Sequence, residues 1–425
     1  MKPHKTVLAY ATNQNSRALI KALMLGLFAF NRNVKAQDIL APSPQAPDQT
    51  PTILQSSQSD EMDVFTSNEI KRESQPFTWE GLTLRPHPFY QFISADGIQA
   101  NTNQVVNTTI QNISLGALLE IGRHWTLDYT PGWTIYSNSQ LANNFGQTVQ
   151  LTGGTVYKDW VLGLSQGYSD TSVLSAETAT QVREQSYLTQ ASANYTLNSK
   201  MSLDLAADQK FISADQLDSY KEWATLDWFN YSFWSRLNAA IGLGGGYDHE
   251  DNAYPDMAFQ QVEGRVNWRA TDKISFQIHG GVEIRQFLSG GASDVVNPIF
   301  DASVQYHPFE QTKLTLKGER IVEPSYFENQ VTENTSISLN LNQRLLGKVF
   351  LDLTGGYEKS DYIATLNNST TDRTDDYDYL NVGLSRSFLK RGTFGVFYQI
   401  SRDNSSVAGY SFTSNQIGCQ IGFRY

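Results

Sequence analysis

The chain has 425 residues and a formal net charge of −11, with 18% charged and 12% aromatic residues. That balance excludes nucleic-acid binding through a basic footprint, and so many aromatics with so little charge exclude a chain disordered throughout. One cysteine, Cys419, rules out an internal disulfide framework or a multi-cysteine zinc site. Beyond the N-terminus no run of about 18 apolar residues occurs, which rules out a helical membrane protein.

Residues 1–36 read as a secretory signal peptide. Lys2, Lys5, Arg17 and Lys21 supply positive charge, residues 22–30 (ALMLGLFAF) form a short apolar core, and Val34-Lys35-Ala36 offers a cleavage site. A soluble N-terminal helix is the alternative. Residues 37–76 change composition, with Pro42, Pro44, Pro47 and Pro51 among Gln, Ser, Asp and Thr. Such a segment buries too little apolar surface to offset its ordering entropy, and it is expected to be a disordered periplasmic tether.

From residue 77 to 425 the hydrophobic period is two. In residues 274–285, Ile274, Phe276, Ile278, Gly280, Val282 and Ile284 share one face, while Ser275, Gln277, His279, Gly281, Glu283 and Arg285 share the other. The pattern recurs around Met201 (Leu203, Leu205 against Ser202, Asp204), at Ile337, Leu339 and Leu341, and at Ile417, Cys419, Ile421, Phe423 and Tyr425. Helices do not alternate this way; two-faced strands do. About 18 such segments are legible, with 16 as the alternative. Each looks about 10–14 residues long, where a soluble strand has about 5–6 and a tilted bilayer-crossing strand needs about 9–11. Tight turns (122–124, 158–159, 198–200, 271–273, 309–311, 347–348, 390–392) alternate with longer polar connections (94–105, 137–144, 170–182, 248–256, 288–297, 360–374, 402–409). Short turns at one end and long loops at the other predict an all-β, antiparallel, up-and-down transmembrane barrel over 77–425, with both termini at the short-turn end. Closure requires the strand near Tyr90 to pair with the one near Ile421, because an open edge cannot face hydrocarbon. Pro86, Pro88 and Pro131 each remove a ladder donor and predict bulges or strand ends.

Alternation alone leaves two assignments of inside and outside. Export, the width of an 18-strand lumen and the clustering of aromatics near strand ends favour an apolar exterior. Those aromatics are Trp125, Tyr157, Trp160, Tyr195, Trp228, Phe229, Tyr231, Phe233, Trp234, Trp268, Tyr306, Phe388, Tyr398 and Tyr425; they are expected to form a girdle at the headgroup level.

The last strand carries a family resemblance. Residues 416–425 (QIGCQIGFRY) resemble the terminal strand of bacterial outer-membrane proteins, whose alternating apolar residues and terminal aromatic are read by the barrel-assembly machinery; Phe423 and Tyr425 would be that signal. Residues 84–92, 127–133 and 353–357 are similar to porin-like outer-membrane β-barrels of the kind associated with exopolysaccharide gene clusters. The resemblance implies outer-membrane residence in contact with lipid, and a pore, without fixing its substrate; lumenal Asn, Gln, Ser and aromatics suit hydroxyl-rich solutes, so a channel for small hydrophilic solutes or saccharides, or an export route for exopolysaccharide, is the expectation.

With the polar face inward, the candidate pore-lining residues are Arg85, Glu120, Asp204, Asp208, Glu263, Arg265, Arg269, His279, Glu283, Arg285, Lys317, Glu319, Asp352 and Arg424. Rings of charge in a wet pore set selectivity; the competing reading is that they pair and brace the wall, for example Glu263 and Arg265 with Glu283 and Arg285. His279 beside Glu283 is the only candidate acid–base pair, and a solvated lumenal histidine is favoured over an enzyme. No cofactor or metal ion is expected: the acidic loops at 248–251 and 372–378 lack the spacing of a calcium loop. A structural or adhesive barrel, its lumen plugged by the tether and its loops holding a partner, is the alternative to a channel.

Overall fold

The structure is a computed structural model. It describes residues 77–424 apart from 216, 251–255, 290–292, 328–329, 365–372 and 390; the expected signal peptide, the tether and Tyr425 lie outside the described residues. All regular structure described is strand: β1 (Phe77–Trp79), β2 (Leu82–Asn101), β3 (Gln104–Ile121), β4 (Trp125–Tyr136), β5 (Asn144–Tyr157), β6 (Trp160–Ser175), β7 (Thr180–Thr196), β8 (Met201–Ala214), β9 (Tyr220–Trp234), β10 (Leu237–Glu250), β11 (Met257–Arg269), β12 (Ile274–Phe287), β13 (Val295–Tyr306), β14 (Thr312–Pro324), β15 (Gln330–Arg344), β16 (Val349–Ala364), β17 (Thr374–Phe388), β18 (Gly392–Ser405) and β19 (Phe412–Phe423).

From β2 onward each strand pairs antiparallel with its chain neighbours, and β19 pairs back onto β2 from Phe89↔Gly422 to Asp96↔Asn415. The result is a closed, 18-stranded, up-and-down barrel. The short β1 adds to the foot of β2, Phe77 opposite Leu84. The closing register sets Tyr90 opposite Ile421, the pair that closure required.

Strand alternation sorts the side chains. On β12, Ile278, Val282 and Ile284 stand exposed on the outer surface, while Glu283 and Arg285 are buried toward the inside. The same holds for Ile241 and Leu243 on β10, Val262 and Val266 on β11 and Ile417 and Ile421 on β19. An apolar outer face with polar side chains turned inward inverts the pattern of a soluble barrel. Trp125, Tyr157, Phe233, Trp234, Trp268 and Tyr306 lie exposed at the short-turn ends of their strands. Aromatic rings also meet across neighbouring strands, Trp160 tilted against Tyr195 (4.6 Å) and Trp268 stacked on Phe276 (5.3 Å). Trp228 departs from the expected girdle: it is buried and turned inward, with the Arg265 guanidinium 4.3 Å from its ring centroid. Its place in the alternation of β9, one residue before the outward Phe229, explains this.

The prolines sit where the ladder has slack. Pairing of β2 with β19 ends at Phe89 and that with β1 at Leu84, so Pro86 and Pro88 fall on an otherwise open stretch of that edge. Opposite Pro131 the β3–β4 ladder skips between Ser114↔Gly132 and Ala117↔Tyr129.

Two expected loops are strands. Residues 94–105 stay paired to Asn101↔Gln104 and residues 170–182 to Ser175↔Thr180. Hairpins β2–β3 and β6–β7 therefore continue well past the apolar exterior, because backbone hydrogen bonding does not require an apolar face. At Gly97 (φ 81) a bulge bends β2 so closely against Thr413 that a Cβ would lie 2.0 Å from the Thr413 carbonyl oxygen.

Candidate functional site

The inner wall is the candidate site. Its charges meet one another. Arg265 on β11 donates to Asp204 on β8 (2.8 Å) and Asn230 on β9 (2.7 Å), and Asn194 donates to the same Asp204 carboxylate. Glu263 pairs with His279 (3.0 Å), whose ring stands edge-on to Trp228 at 6.3 Å. Arg285 on β12 holds Asp248 (3.0 Å) and Glu283 (2.9 Å), and its guanidinium lies 4.9 Å from the Phe259 ring centroid. The cross-strand exchange expected between Glu263/Arg265 and Glu283/Arg285 is thus replaced. Arg265 reaches across strands to Asp204, and Arg285 pairs along its own strand and back to β10. The His279–Glu283 pair gives way to His279–Glu263, because Arg265 and His279 are register partners and Glu263 flanks them.

The remaining candidates form smaller groups. Arg85 makes a two-pronged contact with Glu120 (2.8 and 3.4 Å). Nearby, His87 meets Asp128 at 3.0 Å. Lys317 bridges Asp301 and Glu319, both at 2.9 Å. Asp352 accepts from Asn340 and Asn342, each at 3.1 Å. Asp208 lies inward on β8, between Asp204 and Lys210. Arg269 is exposed at the turn end of β11, and Arg424 follows β19, its backbone N–H donating to Arg391. Candidate residues therefore occur at several heights and do not form one ring.

Sequence reasoning missed the mouth. The tip of hairpin β6–β7, the part of a barrel most often solvated, is buried: Leu174, Ser175, Ala176, Glu177, Thr178 and Ala179 are all 8% exposed or less. It reaches across to the far side. Ser325 and the Tyr326 backbone N–H, at the tip of hairpin β14–β15, donate to the Glu177 carboxylate, and the Tyr326 hydroxyl donates to Glu184. Burial pushes the Glu177 carboxyl up, against the hydrogen bonds from Ser325 and Tyr326 and the nearby Arg373 guanidinium. Arg373, ahead of β17, donates to the Glu177 carbonyl (2.6 Å) and to Asp375 (3.0 Å), and its guanidinium packs 3.8 Å from the Tyr410 ring centroid and 4.5 Å from that of Tyr362. Four hairpins meet there. Against the β6–β7 hairpin an apolar cluster of Ile93, Ile98, Val106, Ile110, Tyr136, Leu141, Leu174 and Phe397 fills part of the interior. The signal was present in residues 93–110, where Ile93, Val106 and Ile110 put apolar side chains on the otherwise polar inward face.

One seam of the wall is incomplete. Pairing of β13 with β14 runs only from Tyr306↔Leu314 to Phe300↔Arg320, although β13 continues up to Val295 and β14 to Pro324. Beyond Arg320, β14 stays paired with β15, from Ile321↔Asn334 to Pro324↔Val331, and the two strands turn inward together. Val322 packs with Met257 and Phe287 from the inner faces of β11 and β12, and with Val331. The Val322 carbonyl accepts from Arg285 (3.3 Å), and Lys210 on β8 lies 3.5 Å from Glu323.

No family model matches the chain, and no curated protein matches it. Solved structures with a similar course of chain include Pseudomonas aeruginosa OccK2 (OpdF), at 12% identity and a TM-score of 0.48, covering 80% of this chain and 98% of that one. Acinetobacter baumannii OccAB3 matches at 10% identity and a TM-score of 0.46, over 80% and 99% of the two chains. The outer membrane protein OpdK of Pseudomonas aeruginosa matches at 9% identity and a TM-score of 0.45, over 80% and 99%.

Proposed function

We propose that the chain resides in a bacterial outer membrane, its tether in the periplasm, and that its bore carries small hydrophilic solutes, saccharides among them. The observation that carries this reading is the inversion of faces on a closed ring: Ile241, Val262, Val282 and Ile417 outside, Asp204, Glu263, Arg265 and Glu283 inside. Hydrocarbon accepts such an exterior and a closed ladder, and an 18-strand lumen is too wide for side chains alone to fill at every height. Partly exposed side-chain amides and hydroxyls on the inner face (Asn112, Gln190, Asn267, Gln277 and Ser338) suit polyhydroxylated solutes, which exchange hydrogen bonds with such groups without needing a charge. The paired charges favour bracing over a selective ring, since a charge already held by a partner attracts a passing ion less. Phe423, exposed on the outer face of β19, is the residue a barrel-assembly machinery would read. His279, packed between Glu263 and Trp228, is read as part of the wall.

The test is conductance of the purified barrel in a planar bilayer, with swelling assays on liposomes in mono- to tetrasaccharides. Discrete current steps and a size cut-off for sugars are expected; a folded barrel with neither would reject the channel. A structural or adhesive barrel is the second reading, favoured by the buried tip of hairpin β6–β7.

A further inference from the structure

The upper part of β14 is patterned as wall yet packed as plug. Along β14 the alternation that puts Leu314 and Leu316 outward continues through Gly318 and Arg320 to Val322 and Pro324, while Lys317, Glu319, Ile321 and Glu323 share the opposite face. A strand tucked inside a polar bore has no need of that pattern. Opposite it, Val295–Ile299 of β13 keep one edge without a described strand partner, and their outward residues Val296 and Pro298 stand exposed among other apolar residues. An unpaired edge beside hydrocarbon is costly, and Val295–Ile299 carries no charge to blunt it, only Pro298. Continuing the Phe300↔Arg320 register would set Ile299 opposite Ile321, Pro298 opposite Val322, Asn297 opposite Glu323 and Val296 opposite Pro324. Every apolar residue would then face outward or pack beside its equal, and Asn297 and Glu323 would face the bore.

Resting on the channel reading, we infer that residues 321–324, together with their β15 partners 331–334, exchange between two places, the mouth and the wall, and that zipping to β13 opens the bore. In the mouth the segment keeps its ladder to β15, from Ile321↔Asn334 to Pro324↔Val331, and its other edge is held by side chains. Arg285 takes the Val322 carbonyl that a wall strand would otherwise occupy, Lys210 meets Glu323, and the hairpin tip beyond is fastened by Glu177, Glu184 and, across the gap, by the Asp218 backbone N–H donating to the Tyr326 carbonyl (3.3 Å). In the wall it is held by backbone hydrogen bonds, weakened because Pro298 and Pro324 bring no donor. Two arrangements that each satisfy part of the same backbone are the ingredients of a bistable element. Moving β14 outward pulls Ser325 and Tyr326 away from Glu177 and Glu184, so hairpin β6–β7 loses its far anchor at the same time.

Two disulfides lock the alternatives, each in a Cys419→Ser background. Asn297→Cys with Glu323→Cys joins the zipped seam; Glu177→Cys with Ser325→Cys joins the closed mouth. Both are oxidised in the intact, membrane-inserted barrel, with heat-modifiable gel mobility as the measure of folding, and single Cys variants control for the loss of each side chain. The zipped lock is expected to conduct at least threefold more than the mouth lock, with a reductant returning both to the parent level. If the 297–323 bond never forms in folded barrels that readily form the 177–325 bond, the exchange is overturned. Equal conductance of the two locked forms overturns the opening. If both bonds form and neither form passes current, the exchange of β14 stands, while the channel reading fails and takes the opening with it.

Discussion

Two seams of the same wall behave differently. Between β10 and β11 the register runs unbroken from Leu237↔Trp268 to Asp248↔Met257. Between β13 and β14 it stops at Phe300↔Arg320, and the chain above turns inward. In the first seam the backbone holds the wall, and side chains merely sort themselves by polarity. In the second, side chains stand in for the ladder on the β13 side, while β14 stays paired with β15: Arg285 donates to the Val322 carbonyl and Lys210 lies 3.5 Å from Glu323. The comparison teaches that a barrel can give up strand pairing locally where a buried, multiply bonded arginine supplies a donor to the freed backbone, at the cost of burying charge.

The sharpest way to break the contrast is to remove Arg285, which is 2% exposed. Arg285→Met leaves Asp248 buried without its cation, and a loss of about 3–5 kcal/mol is expected for breaking a buried pair. Arg85→Met is the control. Its pair with Glu120 is 35% exposed on both sides, and exposed pairs contribute about 0–1 kcal/mol. Reversible urea unfolding from lipid vesicles, followed by tryptophan fluorescence, measures both; similar losses would contradict the assigned role of Arg285.

A smaller effect sharpens the regular seam. Ile241→Arg places a cation on the outer face of β10, where about 2–4 kcal/mol is lost near the bilayer midplane. Gln277→Arg, exposed on the inner face of β12, is expected to change stability by about 0.5 kcal/mol or less, as surface substitutions do. The same unfolding assay reads the pair, and a reversed order would mean the faces are assigned wrongly.

Smaller still is a glycine comparison within one ladder. A Cβ at Gly281 would lie 1.8 Å from the Val262 carbonyl oxygen, whereas one at Gly264 meets nothing within 4 Å. Gly281→Ala is expected to cost about 1–3 kcal/mol through forced backbone displacement, with Gly264→Ala close to neutral. Equal midpoints in denaturant would show that β11 and β12 approach less closely than the register implies.

Much of the fold was legible because one physical rule acts along the whole chain. The alternation of residues 274–285 specified both faces of β12, and the demand for closure specified the meeting of Tyr90 with Ile421. The site was less legible. Arg265 and Asp204 lie on strands that are not neighbours, so their pairing depends on wall curvature that no local pattern encodes. The inward turn of β14 was hidden for a different reason: its alternation is the same whether the segment lies in the wall or beside Arg285. Residues 94–105 and 170–182 looked like loops because their polar composition hides the hydrogen-bonded ladders they form.

The central claim is that hydrocarbon meets one face of these strands and water the other. Single cysteines at 276, 278 and 282, and at 275, 277 and 279, placed along β12 of the Cys419→Ser barrel in vesicles, test it directly. A membrane-impermeant thiol reagent should label the odd positions, while fluorophores coupled at the even positions should be quenched by lipid-borne quenchers. Labelling at the even positions with lipid quenching at the odd ones, or equal labelling along the whole strand in detergent-free buffer, would contradict the account.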